Sequence, residues 1–169
     1  SPADGETNIL LTQNANGTFT DRSSLLPTPP DYTHSAGIAD VNGDGYLDIY
    51  VGNIFNTTQT GPYFLMGDAG GGYTRTSTTL PTEIVNLSRK YTTSALVDVD
   101  NDGYPDLVLG AEGSTTSTSI ILFNDGTGDF TKRAPYTLPA GPLGNNFTAL
   151  DIKTIDVNND GYPDLLIVG

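Results

Sequence analysis

The chain has 169 residues, enough for one ordinary domain with a buried core. Its formal charge of −13 argues against nucleic acid or an anionic membrane surface as a partner, and the absence of cysteine excludes disulfides and thiol chemistry. No apolar run approaches the roughly 18 residues of a membrane span, while 20 Gly, 11 Pro and no long stretch of helical periodicity predict an all-β architecture.

The opening at Ser1, with neither a start Met nor a signal-peptide pattern, reads as that of a mature or excised segment. Asn8–Leu11 reads as a short strand, Asn14-Ala15-Asn16-Gly17 as a turn, and the stretch around Phe19–Arg22 as a second strand, making a hairpin. The hairpin recurs twice. Tyr63–Met66 leads through Asp68 to Gly72 into Tyr73–Arg75, and Ile120–Phe123 leads through Asp125-Gly126-Thr127-Gly128 into Phe130–Arg133. The aromatic after each turn is expected to anchor the core. Each hairpin is followed by Leu-Pro (Leu26-Pro27, Leu80-Pro81, Leu138-Pro139), where the proline stops the strand. A connection then reaches a strand of small and apolar residues: Ser35–Ala39, Ser94–Val97 and Ile152–Ile155.

Each of these strands runs into a nine-residue loop with side-chain oxygens at alternate positions: Asp40–Asp48, Asp98–Asp106 and Asp156–Asp164. The loops stand 58 residues apart (98 − 40 and 156 − 98). A hard divalent cation takes six to eight oxygens, and a tight loop offering them at positions 1, 3, 5 and 9, with the carbonyl of position 7, can surround it. The predicted calcium ligands are therefore Asp40, Asn42, Asp44, Asp48 and the Tyr46 carbonyl; Asp98, Asp100, Asp102, Asp106 and the Tyr104 carbonyl; and Asp156, Asn158, Asp160, Asp164 and the Tyr162 carbonyl. Gly45, Gly103 and Gly161 stand where the loop turns sharply. Turns also use Asp, Asn and Gly, but hairpin geometry does not require several mutually repelling carboxylates in nine residues. An EF-hand would need a Glu at position 12; here Val51, Leu109 and Ile167 lie there, within apolar strands. Ten of the twenty acidic residues belong to the loops, and three Ca²⁺ would bring the charge from −13 to −7.

The repeating unit is strand, calcium loop, strand, connection, strand, turn, strand, which is a four-stranded blade of a β-propeller. The boundaries give a half blade over 1–34, blades over 35–92 and 93–148, and a half blade over 149–169. Small residues in the first strand suit the crowded axis, and Arg22, Arg75, Lys132 and Arg133 are placed on the outermost strand, where charge discourages edge pairing.

Asp-Val-Asn-Gly-Asp-Gly-Tyr-Leu-Asp-Ile-Tyr-Val-Gly (Asp40–Gly52) resembles the calcium signature of the FG-GAP repeat family, known from integrin alpha subunits and secreted bacterial proteins. The Asn124–Phe130 hairpin is similar to the family's next segment. The resemblance implies a propeller with structural calcium between the first two strands of each blade and recognition on the opposite face. Two blades and two half blades sum to three, fewer than the four to eight that close a propeller. The expectation is either a piece of a longer propeller or, preferred, a head-to-tail homodimer of six blades.

The connections on the face opposite calcium supply the candidate ligand-binding residues Tyr32, Phe55, Arg89, Tyr91 and Asn146, with His34, Lys90, Asn145 and Phe147 nearby. Asp151 and Lys153 share one face of their strand and are candidates to pair across the axial channel. Sequons stand at Asn16, Asn56, Asn86 and Asn146. No motif places a nucleophile or base beside His34, so no enzymatic activity is expected. The predicted function is a secreted or cell-surface calcium-binding module that recognises a protein or glycan. The alternatives are an accessory propeller of a secreted enzyme and a purely structural assembly repeat.

Overall fold

The computed structural model describes residues 5–27, 30–54, 61–113, 117–141, 144 and 147–169. Its strands are β1 (Leu11–Gln13), β2 (Phe19–Asp21), β3 (Thr33–Ala39), β4 (Asp48–Asn53), β5 (Tyr63–Gly67), β6 (Tyr73–Thr76), β7 (Tyr91–Val97), β8 (Asp106–Ala111), β9 (Ile120–Leu122), β10 (Tyr136–Thr137), β11 (Asp151–Ile155) and β12 (Asp164–Val168). They form two four-stranded antiparallel sheets, β3-β4-β5-β6 and β7-β8-β9-β10, flanked by the two-stranded sheets β1-β2 and β11-β12. This is the blade order predicted, and the fold is all-β with the blades of a propeller.

Strand alternation gives every blade two apolar faces. In β4 and β5, Ile49, Val51, Tyr63 and Leu65 share one face, while Tyr50 and Phe64 occupy the other. In β8 and β9, Leu107, Leu109, Ile120 and Leu122 meet Tyr50 and Phe64, whereas Val108 and Ile121 turn away toward Ile152, Leu165 and Ile167 of the last hairpin. Phe64 stacks on Phe130 with centroids 5.2 Å apart, and the Tyr50 ring meets it edge-on at 5.4 Å. Such pairs add about 0.5–1.5 kcal/mol beyond burial of their area. The inner strands β3 and β7 run side by side: Ser94 and Ser35 share a hydrogen bond of 3.0 Å, and a Cβ on Gly37 would lie 3.2 Å from the Leu96 side chain. Small residues in the first strand thus permit this approach.

Four local expectations need correction. The first hairpin begins at Leu11 rather than Asn8, because Glu6 pairs with Asp31 and the Asn8 amide donates to Thr33 Oγ1 at 3.0 Å, tying residues 6–8 to the entry of β3. Phe19 is exposed, whereas Phe130 is fully buried as an anchor. Residues 129–133 form a turn, with Asp129 accepting the Thr131 N–H at 3.0 Å and Phe130 donating to the Thr79 carbonyl, so the outer strand of the second blade is displaced to β10. Consequently, of the four basic residues, Arg75 alone lies on an outer strand, where its guanidinium sits 4.3 Å from the centroid of the Tyr63 ring. A short helix, α1 (Thr82–Val85), interrupts the connection between blades and plugs the core with Ile84.

Candidate metal centre

Each loop wraps its backbone around its own first carboxylate. Asp40 accepts the N–H groups of Gly43 at 2.8 Å, Asp44 at 3.2 Å and Gly45 at 2.8 Å. Asp98 accepts those of Asp102 and Gly103 at 3.1 and 2.8 Å, and Asp156 those of Asp160 and Gly161 at 3.1 and 2.9 Å. Position 5 repeats the pattern: Asp44, Asp102 and Asp160 accept the N–H of Tyr46, Tyr104 and Tyr162 at 2.9, 3.0 and 2.9 Å. Position 9 reaches back, with Asp48, Asp106 and Asp164 accepting from Val41, Val99 and Val157 at 3.0, 3.1 and 2.9 Å. The three loops are one structure written three times.

Two positions in each loop lie at left-handed φ. Gly45, Gly103 and Gly161 do so at position 6, and Gly43, Asn101 and Asn159 at position 4. Position 4 escaped the sequence reading, although Gly and Asn are the residues that tolerate this conformation. The tyrosine rings at position 7 are exposed, as fits residues needed only for their backbone.

Asp48 and Asp106 have no exposed surface. Their second oxygens leave the loop and accept an N–H at the end of the blade's third strand or just past it, Gly67 (the last residue of β5) at 2.9 Å and Asn124 (two residues after β9) at 2.8 Å. Burial pushes the Asp106 carboxyl up to about 6, with further upward pressure from Asp100 and Asp102, against the pull of the two N–H donors. Asp48 is raised for the same reasons, burial first and then the charges of Asp44 and Asp40. The loops thus hold carboxylates that a bound cation would relieve.

In the second loop, oxygens of Asp98, Asp100 and Asp106 lie within 4.8 Å of one another. This all-oxygen set, arranged by backbone donors, fits a hard divalent cation. Arg133 reaches Asp100 at 2.9 Å and offsets part of the repulsion, while its guanidinium lies over the Phe123 ring. In the first and third loops the Asn42 and Asn158 amides donate to Asp44 and Asp160, both at 2.9 Å. Among the described residues, converging acidic triads are confined to the second loop.

Tyr32 is half-buried, Arg89 exposed, and Phe55 and Asn146 lie outside the described residues, as do Asn145 and the sequon at Asn56. Tyr91 is buried in the core between the blades, so its expected exposure is corrected: it packs against the first blade from the start of β7. Lys90 lies 3.9 Å from Glu112, and Phe147 is half-buried against Gly169. Asp151 and Lys153 form a local ion pair of 2.9 Å on exposed side chains instead of spanning a channel. A network missed by sequence reasoning centres on buried Asp31, which accepts from Thr33 Oγ1 at 2.6 Å, Tyr63 Oη at 2.7 Å and Asn53 Nδ2 at 3.2 Å. Burial and this carboxylate push the Tyr63 phenol upward.

A model of the FG-GAP-like repeat matches residues 3–51 and 98–167, and one of the FG-GAP repeat matches residues 32–73. The chain belongs to the FG-GAP repeat family. Among curated relatives, it is 25% identical over 149 residues to integrin alpha-IIb of Mus musculus, covering 80% of the chain. It is 32% identical over 117 residues to integrin alpha-3 of Cricetulus griseus (61% of the chain) and 34% over 115 residues to integrin alpha-7 of Rattus norvegicus (64%). It spans 14%, 11% and 10% of the lengths of these three proteins. The match over 32–73 spans β3, the first loop, β4 and β5.

Proposed function

We propose that this FG-GAP segment is a calcium-binding, non-catalytic recognition module that works outside the cell. The observation that carries the reading is the shared scaffold of backbone donors that fixes an oxygen-rich set in all three loops, with Asp98, Asp100 and Asp106 converging in the second. Three Ca²⁺ would be held by Asp40, Asn42, Asp44, Asp48 and the Tyr46 carbonyl; by Asp98, Asp100, Asp102, Asp106 and the Tyr104 carbonyl; and by Asp156, Asn158, Asp160, Asp164 and the Tyr162 carbonyl. The ion supplies charge neutralisation and loop rigidity. Side-chain oxygens and one carbonyl fill most of its coordination sphere, which leaves little room for a substrate and favours a structural over a Lewis-acid role.

Exposed loops of this kind suit the millimolar calcium outside cells, and similarity to integrin alpha subunits favours an adhesion-type module. The ligand, a protein or glycan, would meet the connections opposite the loops, with Tyr32 and Arg89 as described candidates and Phe55 and Asn146 beyond them.

Isothermal titration of calcium into metal-free protein tests the reading, with thermal unfolding in parallel. The expected result is three ions per chain and a higher unfolding temperature in calcium than in chelator. Absence of binding at millimolar calcium would overturn it.

A further inference from the structure

Position 3 of the first loop is Asn42, and Gly43 follows it. The Gly43 N–H donates to Asp40 Oδ1 at 2.8 Å, so a carboxylate stands against the backbone nitrogen that reaches the Asn42 side-chain carbonyl by closing a small ring. Asn42 Oδ1 accepts the Asp44 N–H at 3.1 Å, and its NH₂ donates to Asp44 Oδ2 at 2.9 Å. Gly43 is exposed, which admits water, and without a Cβ it leaves the attacking nitrogen unhindered. A base on the nucleophile, a donor on the carbonyl oxygen and an acceptor on the leaving group thus meet at one Asn-Gly step.

We propose that Asn42 is a self-modification site, where the chain slowly exchanges its own amide for a carboxylate. The Gly43 nitrogen attacks Asn42 Cγ and its proton passes to Asp40 as general base, while the Asp44 N–H stabilises the charge developing on Oδ1. The Cγ–Nδ2 bond then breaks, and ammonia leaves with the proton that Asp40 returns. The product is a cyclic succinimide. Water opens it at either carbonyl: one opening leaves aspartate at position 42, the other routes the backbone through Cγ as isoaspartate. Water replaces ammonia overall, with no change of oxidation state.

The same chain contains contrasting sites. Asn158, at position 3 of the third loop, makes the same two bonds to Asp160, at 3.0 and 2.9 Å. It is followed by Asn159, whose Cβ crowds the attack, and among the described residues Asp156 accepts from Asp160 and Gly161 but not from Asn159. Asn16-Gly17 is a second Asn-Gly step, with Oδ1 held by the Thr18 N–H at 3.1 Å and hydroxyl at 2.7 Å, but the Gly17 N–H donates to the Asn14 carbonyl, which is no base. Asp100, at position 3 of the second loop, already has the form that conversion would give the first. Conversion removes the donor to Asp44 and sets a further negative charge beside it, so the loop leans more heavily on a cation. Isoaspartate lengthens the backbone and breaks the ligand spacing. These consequences rest on the calcium reading above; the exchange itself does not.

The test is peptide mapping by mass spectrometry of protein held in chelator at mildly alkaline pH, which follows these sites in one sample over time. Asn42 should gain the mass of amide-to-acid exchange ahead of Asn16 and well ahead of Asn158, as a mixture of aspartate and isoaspartate. D40N removes the base and should slow Asn42 by about tenfold or more while leaving Asn16 unchanged. Circular dichroism checks that D40N folds, and the parent in urea gives the comparison without a substitution, since loss of the loop should bring Asn42 down to the rate of Asn16. The proposal is overturned if Asn42 stays intact while Asn16 converts, if D40N leaves its rate unchanged, or if unfolding does not slow it. All these rates are read without metal, so they stand or fall apart from calcium binding. Calcium titration of N42D against the parent tests the consequence: tighter binding by the first loop supports it, and unchanged affinity refutes it.

Discussion

Replacing Asp106 by Asn separates the cost of a buried carboxylate from its use. In metal-free protein at neutral pH, holding this carboxyl ionised when burial has moved it from 3.8 to about 6 costs about 3 kcal/mol. Asn removes that cost but turns an NH₂ toward one of the two backbone donors, Val99 N–H or Asn124 N–H, which loses about 1–3 kcal/mol. The two effects nearly cancel, so the variant in chelator should be as stable as the parent or slightly more so. In calcium the balance reverses, because the second loop has lost a charged ligand. At a calcium concentration 100-fold above the dissociation constant, one site contributes about 2.7 kcal/mol of stability, and that amount should disappear. Urea unfolding of both proteins, with calcium and with chelator, reads all four states. Equal destabilisation of the variant in both conditions would refute the reasoning, since it would mean that Asp106 serves the fold alone.

The same carboxyl sets a pH dependence. Its folded pKa is raised, so the metal-free protein should gain stability as pH falls through about 6 toward 3.8, where the unfolded chain also takes up the proton. Asp48 adds in the same direction. Calcium binding requires the ionised form, so the increment in unfolding temperature due to calcium should shrink over that window. An increment unchanged at pH 5 would contradict this. Tyr63→Phe removes the 2.7 Å hydrogen bond to buried Asp31, and the expected loss is about 1.5–3 kcal/mol by chemical denaturation, with no change in calcium stoichiometry. A neutral substitution would mean that Asp31 finds another donor.

The shape of the acidic loops was legible in the sequence because it is local: every predicted ligand and most of the backbone donors fall within nine residues, and the same spacing recurs three times. Blade order was legible because alternation and turn chemistry recur with one period. What lay outside the sequence was whatever depends on contacts between distant segments. Phe130 reads as the start of a strand, but stacking on Phe64 draws it inward and winds the following residues into a turn. Tyr91 reads as a loop aromatic, yet the packing of one blade on the next buries it. Asp31 carries no local mark of burial; its partners Asn53 and Tyr63 come from 22 and 32 residues away. The second acceptor role of Asp48 and Asp106 was hidden because their donors lie 19 and 18 residues downstream, across the sheet.

The loops are also laced to one another. The Asn124 amide, which belongs to the second blade, donates to the Val41 carbonyl of the first loop at 2.8 Å, and the Asn101 amide of the second loop donates to the Gly161 carbonyl of the third at 2.9 Å. Both acceptors are backbone atoms within the wrapped segments, so a change in the curl of one loop shifts an anchor point of its neighbour. A cation settling in the second loop would therefore bias the shapes of the first and third, and filling of the face should be steeper than for three independent sites.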